Sequence, residues 1–96
     1  MSWTVGITSK AAKQIKKLPK SVKSALLLLM RDLENNGPAP GKGWKNYSKL
    51  KGLGSDKRHC HIIKGKPTYV CCWEVKDNQL NILEVYYAGT HEKAPY

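Results

Sequence analysis

The sequence predicts an α+β fold in which an N-terminal strand and a helical hairpin pack on an antiparallel sheet. Between residues 9 and 36, apolar residues recur at helical spacing, and Pro19 divides this stretch into two helices. From residue 57 onward, three β-rich segments follow one another through short turns, a pattern typical of a three-stranded meander. A chain of 96 residues is sufficient for one hydrophobic core, so we expect a single domain over residues 1–96.

The N-terminal part of the chain predicts a short strand and the helical hairpin. Residues 3–8 (WTVGIT) are rich in β-favouring residues, and we expect this strand to pair beside one of the later strands. Ser9 is a suitable N-cap for the first helix, which should run through Leu18. Ser21 is a suitable N-cap for the second helix, beyond the break at Pro19.

The second helix carries more apolar surface than one core-facing stripe requires. Its predicted buried stripe consists of Val22, Ala25, Leu26, Leu29 and Leu33. Leu27, Leu28 and Met30 widen the apolar surface around the helix. A helix of this kind either is covered on several sides or offers a second apolar face to a partner.

The segment between the helices and the C-terminal strands mixes aromatic and basic residues. Residues 37–43 (GPAPGKG) form a connector, and residues 44–54 (WKNYSKLKGLG) then carry Lys49 and Lys51 among aromatic and aliphatic residues. This composition suits contacts with an RNA backbone and with stacked bases. A loop whose apolar residues hold it on the sheet while its lysines face water explains the composition equally well.

The first C-terminal strand, residues 57–63 (KRHCHII), places two imidazoles on one face. Strand alternation sends Arg58 and Cys60 to one side of the sheet and His59 and His61 to the other. The two histidines are then about 7 Å apart along the strand and both could reach one phosphate. The alternative is a solvent-exposed pair of histidines on an edge strand.

The last strand, expected to begin at Leu80, leads into a polar tail that completes a set of acid–base groups. Metal-free RNA cleavage requires a base for the 2′-hydroxyl, an acid for the 5′-oxygen and cations for the phosphorane. The candidate proton-transfer groups are His59, His61, His91, Glu92 and Tyr96. The candidate RNA-binding and charge-stabilising groups are Lys49, Lys51, Lys57, Arg58 and Lys93.

Composition favours an anionic partner and argues against several other classes of protein. The formal net charge of +10 favours nucleic acid, an anionic membrane or an acidic protein. Three cysteines, two of them adjacent, indicate neither a disulfide framework nor a zinc site, so we expect a cytoplasmic protein without a metal. The longest apolar run, residues 25–30, is too short to span a membrane. The sequence also has no P-loop and no dinucleotide-binding fingerprint, so we expect no small-molecule cofactor.

Three segments give the chain a resemblance to the RelE/ParE family of bacterial toxins, within which it is most similar to the RelE-like translational repressors. They are residues 32–38 (DLENNGP), residues 66–75 (KPTYVCCWEV) and residues 85–96 (VYYAGTHEKAPY). The resemblance covers essentially the whole chain and implies the toxin of a type II toxin–antitoxin system. RelE-like toxins enter the ribosomal A site and cut the messenger RNA there without a metal, and an acidic antitoxin neutralises them. The implied partners are therefore an antitoxin, the ribosome and mRNA.

The resemblance also implies roles for individual residues. His59 and His61 match the strand positions at which RelE-like toxins place basic catalytic residues, and Tyr96 matches a C-terminal tyrosine. His91 matches a histidine that follows the last strand, but the next residue in the family is often arginine, and here it is Glu92.

Two other functions stay open. A ParE-like inhibitor of DNA gyrase would bind a protein and cleave nothing, and a non-catalytic basic module would only bind RNA.

Overall fold

The computed structural model describes residues 2–41, 43–52, 54–63 and 65–96, in which two helices cover one face of a five-stranded sheet. The strands are β1 (Thr4–Ile7), β2 (Lys45–Leu50), β3 (Lys57–Ile63), β4 (Tyr69–Asp77) and β5 (Ile82–Thr90). The helices are α1 (Ser9–Lys16) and α2 (Lys20–Asn36), and a single 3₁₀ turn (His91–Lys93) follows β5. The predicted α+β architecture is confirmed.

The strand order is β1-β5-β4-β3-β2, and the sheet is mixed. Strand β1 pairs with β5 in parallel, which confirms that the N-terminal strand lies beside one of the later strands. Strands β2 to β5 pair antiparallel with their neighbours in chain order. The meander therefore has four strands rather than three, because β2 precedes the three that the sequence predicts. As a result β3 is an interior strand, with β2 on one side and β4 on the other.

Several predicted element boundaries are wrong by one or two residues, among them the end of α1, which was expected at Leu18 and lies at Lys16. Helix α1 is capped by Thr8, whose hydroxyl oxygen accepts a hydrogen bond from the Ala11 N–H at 3.0 Å, and not by Ser9. Helix α2 begins at Lys20, directly after Pro19, so its first turn precedes the expected cap at Ser21. A proline fits at this place because the first helical turn does not need its missing N–H. Strand β5 begins at Ile82, and Leu80 lies in the preceding turn with 68% of its surface exposed.

The core lies between the helices and one face of the sheet. Helix α2 buries Val22, Leu26, Leu29 and Leu33, as predicted, whereas Ala25 is only half-buried. These side chains belong to the same buried cluster as the sheet residues Cys60, Ile62, Cys71, Trp73, Leu83, Val85 and Ala88. Since successive strand residues point to opposite faces, the other face of the sheet receives the alternate residues of β3 and β4.

That other face, called the open face below, is not covered by either helix. A small second cluster lies on it, in which Val70, Cys72 and Tyr87 pack with Tyr86 and Ala94. Ala94 belongs to the C-terminal tail, so the tail turns back onto the open face after β5. Neither helix in the described part of the chain has the length and apolarity that spanning a bilayer requires.

Candidate active site

Four aromatic side chains converge on the open face, and together they form what we call the histidine–tyrosine cluster: His59, His61, His91 and Tyr96. The ring centroids of His59 and His61 are 6.1 Å apart, and those of His61 and His91 are 5.4 Å apart. Tyr96 lies 4.6 Å from His59 and 6.0 Å from His91. Each ring is therefore next to two others, and four groups that can carry a proton face one small region of the surface.

Strand β3 supplies two members of the cluster by alternation. His59 and His61 are separated by Cys60, which is fully buried on the helix side. Both histidines accordingly lie on the open face, as the sequence predicts. Because β3 is an interior strand, the alternative of an exposed pair on a sheet edge does not describe them, and His59 is only 8% exposed.

The chain segment after β5 supplies the other two members. The His91 N–H donates a hydrogen bond to the Thr68 carbonyl at 2.8 Å, which extends the contact of β4 with β5 by one residue. The 3₁₀ turn then bends the chain, and half-buried Ala94 holds the tail on the open face. This anchor carries Tyr96 over β3, where its ring lies beside that of His59.

The point at which β5 gives way to the tail is fixed by a side chain. The Tyr87 hydroxyl donates a hydrogen bond of 2.7 Å to the Thr90 carbonyl, directly before His91. Gly89 lies beneath this bond, and a Cβ built there would come within 2.8 Å of the Tyr87 hydroxyl oxygen. Only glycine therefore leaves room for the contact that sets the start of the tail.

Burial sets the protonation state of His59. Desolvation of the ring lowers the pKa of His59 below its usual value, and the neighbouring His61 and His91 lower it further. A hydrogen bond with the backbone of Ser48 raises the pKa and partly offsets these effects. The Ser48 side chain also contacts the ring, with its Oγ 3.1 Å from Nδ1. The net effect is a lower pKa, so the imidazole is neutral near pH 7 and can accept a proton.

Tyr96 has the opposite character. Burial raises the pKa of its phenol above the usual value, so the group keeps its proton at neutral pH. The residue is nevertheless 47% exposed, so a substrate could reach its side chain. The cluster thus combines a neutral imidazole and a protonated phenol in adjacent positions, which is the kind of pairing that general acid–base chemistry uses.

Glu92 does not point into the centre of the cluster. It lines an adjoining cleft of about 580 Å³, together with His61, His91 and residues 65–68 of the β3–β4 turn. Its carboxylate is exposed at the position where an arginine is expected from the family resemblance. The cleft is continuous with the cluster through the two histidines that belong to both.

The predicted basic residues are spread over several surfaces. Lys57 is on the same strand face as His59 and His61, with its Nζ 5.2 Å from the centre of the Tyr86 ring. Lys49 and Lys51 are exposed within and just after β2, at the edge of the sheet. Lys93 is exposed in the 3₁₀ turn and lines a groove between α1 and the end of β5.

Arg58 lies on the helix side of the sheet, as the alternation predicts. Its guanidinium donates two hydrogen bonds to the Asp56 carboxylate, at 2.9 and 3.0 Å, and one to the Tyr47 hydroxyl at 3.0 Å. The bond with Asp56 is the main reason that the pKa of Arg58 is raised. Arg58 is thus held by a carboxylate and is directed away from the histidine–tyrosine cluster.

The cysteines have the character of packing residues. Burial raises the pKa of the Cys60 and Cys72 thiols to about 12, and that of Cys71 well above its usual value. All three thiols therefore stay protonated at neutral pH. Within residues 2–41, 43–52, 54–63 and 65–96, no group of three or more His, Cys, Asp or Glu side chains is arranged to hold a metal ion.

Ser48 is the site residue that the sequence did not single out. It pairs with His59 across β2 and β3, which places both side chains on the same face. Once β2 is recognised as a strand, its antiparallel register with β3 would identify the contact. The lysines and aromatic residues around Ser48 predict RNA contacts and give no signal of strand pairing.

Solved structures of RelE toxins have the same fold. RelE in the archaeal RelE–RelB complex from Pyrococcus horikoshii OT3 matches with a TM-score of 0.70 and 20% identity, over 98% of this chain and 100% of that chain. The RelBE2 toxin–antitoxin complex from Mycobacterium tuberculosis matches with a TM-score of 0.70 and 16% identity, over 95% of this chain and 100% of that chain. The isolated RelE toxin from E. coli matches with a TM-score of 0.67 and 16% identity, over 98% of this chain and 89% of that chain.

These comparisons define the fold of the chain as that of the RelE toxins and confirm, at the level of structure, the resemblance inferred from the sequence. No protein-family model and no curated protein sequence matches the chain. The likeness is therefore carried by the arrangement of the strands and helices, with few identical residues.

Proposed function

We propose that this protein is the toxin of a type II toxin–antitoxin system and that it cleaves messenger RNA on the ribosome without a metal. The observation that carries the proposal is the convergence of three imidazoles and a phenol, with ring centroids 4.6 to 6.1 Å apart, on the open face of a basic protein with the RelE fold. The RelE toxins with which it shares this fold include members solved in complex with their antitoxins.

The cluster contains the groups that transesterification of RNA requires. A neutral imidazole takes the proton of the 2′-hydroxyl, and the 2′-oxygen then forms a bond to phosphorus. The bond from phosphorus to the 5′-oxygen breaks, and this oxygen takes a proton from an acid in the cluster. The products are a 2′,3′-cyclic phosphate and a 5′-hydroxyl end. The substrate supplies its own nucleophile, so no catalytic serine or cysteine is needed.

The surroundings of the cluster suit a single RNA strand. The cleft of about 580 Å³ beside His61 and His91 has a volume within the range of small-ligand pockets, enough for one nucleotide. The exposed aromatic edge of Tyr96 offers a stacking surface for a base. Lys57 on the same face and exposed Lys49 and Lys51 at the sheet edge would meet the phosphates. A ribosomal target places the protein in the cytoplasm.

The helical hairpin suits an acidic antitoxin. Leu27 and Leu28 on α2 are 66% and 60% exposed, so this helix has an apolar surface that its own core does not use. Helix α1 and the start of α2 add six lysines between residues 10 and 23, and this segment has no carboxylate side chain. An amphipathic segment with acidic flanks would cover the leucines and pair with the lysines, and it would fold as it binds.

The decisive experiment is induced expression followed by mapping of RNA 5′ ends across the transcriptome. We expect new 5′ ends within codons of translated messages, and a purified system should show the same cuts only when ribosomes are present. Uncut mRNA during growth arrest would contradict the proposal. Intact RNA together with broken DNA would instead identify a gyrase inhibitor, and RNA binding without cleavage a non-catalytic module.

A further inference from the structure

The contact between Ser48 and His59 assigns a role to a residue outside the histidine–tyrosine cluster. Ser48 lies on β2, directly opposite His59 on β3, and its Oγ is 3.1 Å from the Nδ1 atom of the imidazole. We infer that Ser48 is a positioning residue: its hydroxyl holds His59 in the orientation and tautomer in which Nε2 is the base for the 2′-hydroxyl of RNA. This inference rests on the proposed function and goes beyond it by naming the base and what holds it.

The chemistry of a neutral imidazole makes this contact consequential. One ring nitrogen carries a proton and the other a lone pair, and the partner of one nitrogen decides the state of the other. When the Nδ1–H of His59 donates to the Ser48 oxygen, the lone pair is on Nε2. With the other tautomer, Nε2 would carry a proton and could not accept one from the substrate.

The packing around His59 leaves the ring one productive orientation. Ser48 on β2 occupies the side of Nδ1, and the Tyr96 ring lies 4.6 Å from the imidazole centre. Rotation of the ring by half a turn would remove Nδ1 from the hydroxyl and leave a polar atom unpaired in a side chain that is only 8% exposed. The hydroxyl therefore favours the ring orientation in which Nδ1 is occupied and Nε2 is the nitrogen left for a substrate.

The same hydrogen bond also favours the product of the proton transfer. When Nε2 takes the proton of the 2′-hydroxyl, both ring nitrogens become donors, and Nδ1–H keeps its bond to the serine oxygen. A hydrogen bond to the charged form of a group favours that form, so this contact favours the imidazolium, whereas burial lowers the pKa of His59. The other titratable groups around the ring are His61 on the same strand, Cys72 opposite on β4, and His91 and Tyr96 from the tail.

Three serine variants separate the hydroxyl from general packing. Ser48→Ala removes the hydroxyl, and Ser48→Thr retains it on a side chain suited to a strand. Ser24→Ala is a matched control, because Ser24 occupies an exposed position on α2. The readout is single-turnover cleavage of mRNA on programmed ribosomes, measured as a function of pH. We expect Ser48→Ala to lower the maximal rate about tenfold or more, a part of what a well-placed base contributes, and to leave ribosome affinity unchanged.

The pH profile distinguishes positioning from a structural role. His59 acts as a base in its neutral form, so cleavage should rise with pH through the pKa of His59. A bond from Nδ1–H to the serine oxygen is stronger when the ring is charged, so loss of the hydroxyl should lower this pKa and move the rising limb in Ser48→Ala to lower pH. Ser48→Thr should restore both the maximal rate and the pH at which the rate rises, and Ser24→Ala should behave like the parent.

The tautomer can be measured without RNA by the ¹⁵N shifts of the His59 ring in the free protein. We expect Nδ1–H in the parent and a larger share of Nε2–H in Ser48→Ala. If the parent cleaves RNA but has the Nε2–H tautomer, the role inferred for Ser48 is wrong and the proposed function stands. A parent that leaves RNA intact would overturn the proposed function, whatever its tautomer. Equal rates in Ser48→Ala and the parent, or no rescue by Ser48→Thr, would also overturn the inference.

Discussion

Replacement of Leu27 and Leu28 by alanine should weaken binding of the acidic antitoxin without unfolding the protein. Both side chains are mostly exposed in the free chain, at 66% and 60%, and therefore contribute little to its own core. Substitutions at such positions change the free energy of unfolding by about 0.5 kcal/mol or less. Alanine also favours the helix, so α2 should form as before.

The size of the effect follows from the surface that a partner would cover. Full burial of a leucine side chain is worth about 1.5–3 kcal/mol, and at each position roughly three fifths of this remains to be gained. Alanine keeps one of the four side-chain carbons. The double variant should therefore lose about 1.4–2.8 kcal/mol of binding free energy, which corresponds to a dissociation constant roughly 10- to 100-fold higher.

The assay is a calorimetric titration of the purified protein with its cognate antitoxin. Leu80→Ala is the matched control, because Leu80 has the same type of side chain and a similar exposure of 68%, but lies in the β4–β5 turn. It should bind like the parent. A change of less than about threefold in the double variant, or an equal loss in Leu80→Ala, would show that the antitoxin does not use this face of α2.

Three further predictions concern the histidine–tyrosine cluster. The double variant His59→Ala/His61→Ala should no longer arrest growth but should still bind the antitoxin, and undiminished arrest would remove the strand histidines from the mechanism. Deletion of Tyr96 should lower the rate of mRNA cleavage by about an order of magnitude or more, as loss of an acid–base group typically does, and cleavage at the parental rate would make the tail purely structural. Chelation of free metal with EDTA should leave cleavage by purified protein on preformed ribosome complexes unchanged, provided that ribosomes are kept intact by a fixed excess of magnesium. Loss of cleavage there, with recovery on addition of a transition metal, would contradict a metal-free mechanism.

Strand alternation and the meander predicted most of the geometry of the cluster. Period-2 alternation alone placed His59 and His61 on one face, because any regular strand imposes it. The short turns between β3, β4 and β5 placed the tail within reach of that face, so His91 and Tyr96 could be associated with the two strand histidines. Two contacts that hold the tail, the Ala94 packing and the Tyr87 hydroxyl bond to Thr90, depend on tertiary structure and leave no local signal in the sequence.

Strand β2 was not predicted because its backbone departs from regular alternation. Asn46 has a φ of 56°, in the left-handed region, and the register with β3 shifts between Lys45 and Ser48. Asparagine tolerates this conformation better than most residues, but it is not a residue that favours strands. The irregularity breaks the alternation of apolar and polar residues that would otherwise indicate a strand. Ser48 has no signal in the sequence for the same reason, since its contact with His59 depends on the pairing of β2 with β3.

The placement of the arginines determines how this cluster could stabilise a phosphorane. The chain has two arginines, Arg31 and Arg58, and Arg58 is bound to the Asp56 carboxylate on the helix side of the sheet. Arg31 lies on α2, away from the open face, and Glu92 occupies the place of an expected arginine. A fixed guanidinium is therefore not part of the cluster. In the proposed mechanism, however, His59 would become an imidazolium next to the reacting phosphate once it had accepted the 2′-hydroxyl proton. The base would in this way produce its own stabilising cation at the moment when negative charge develops on the phosphorane.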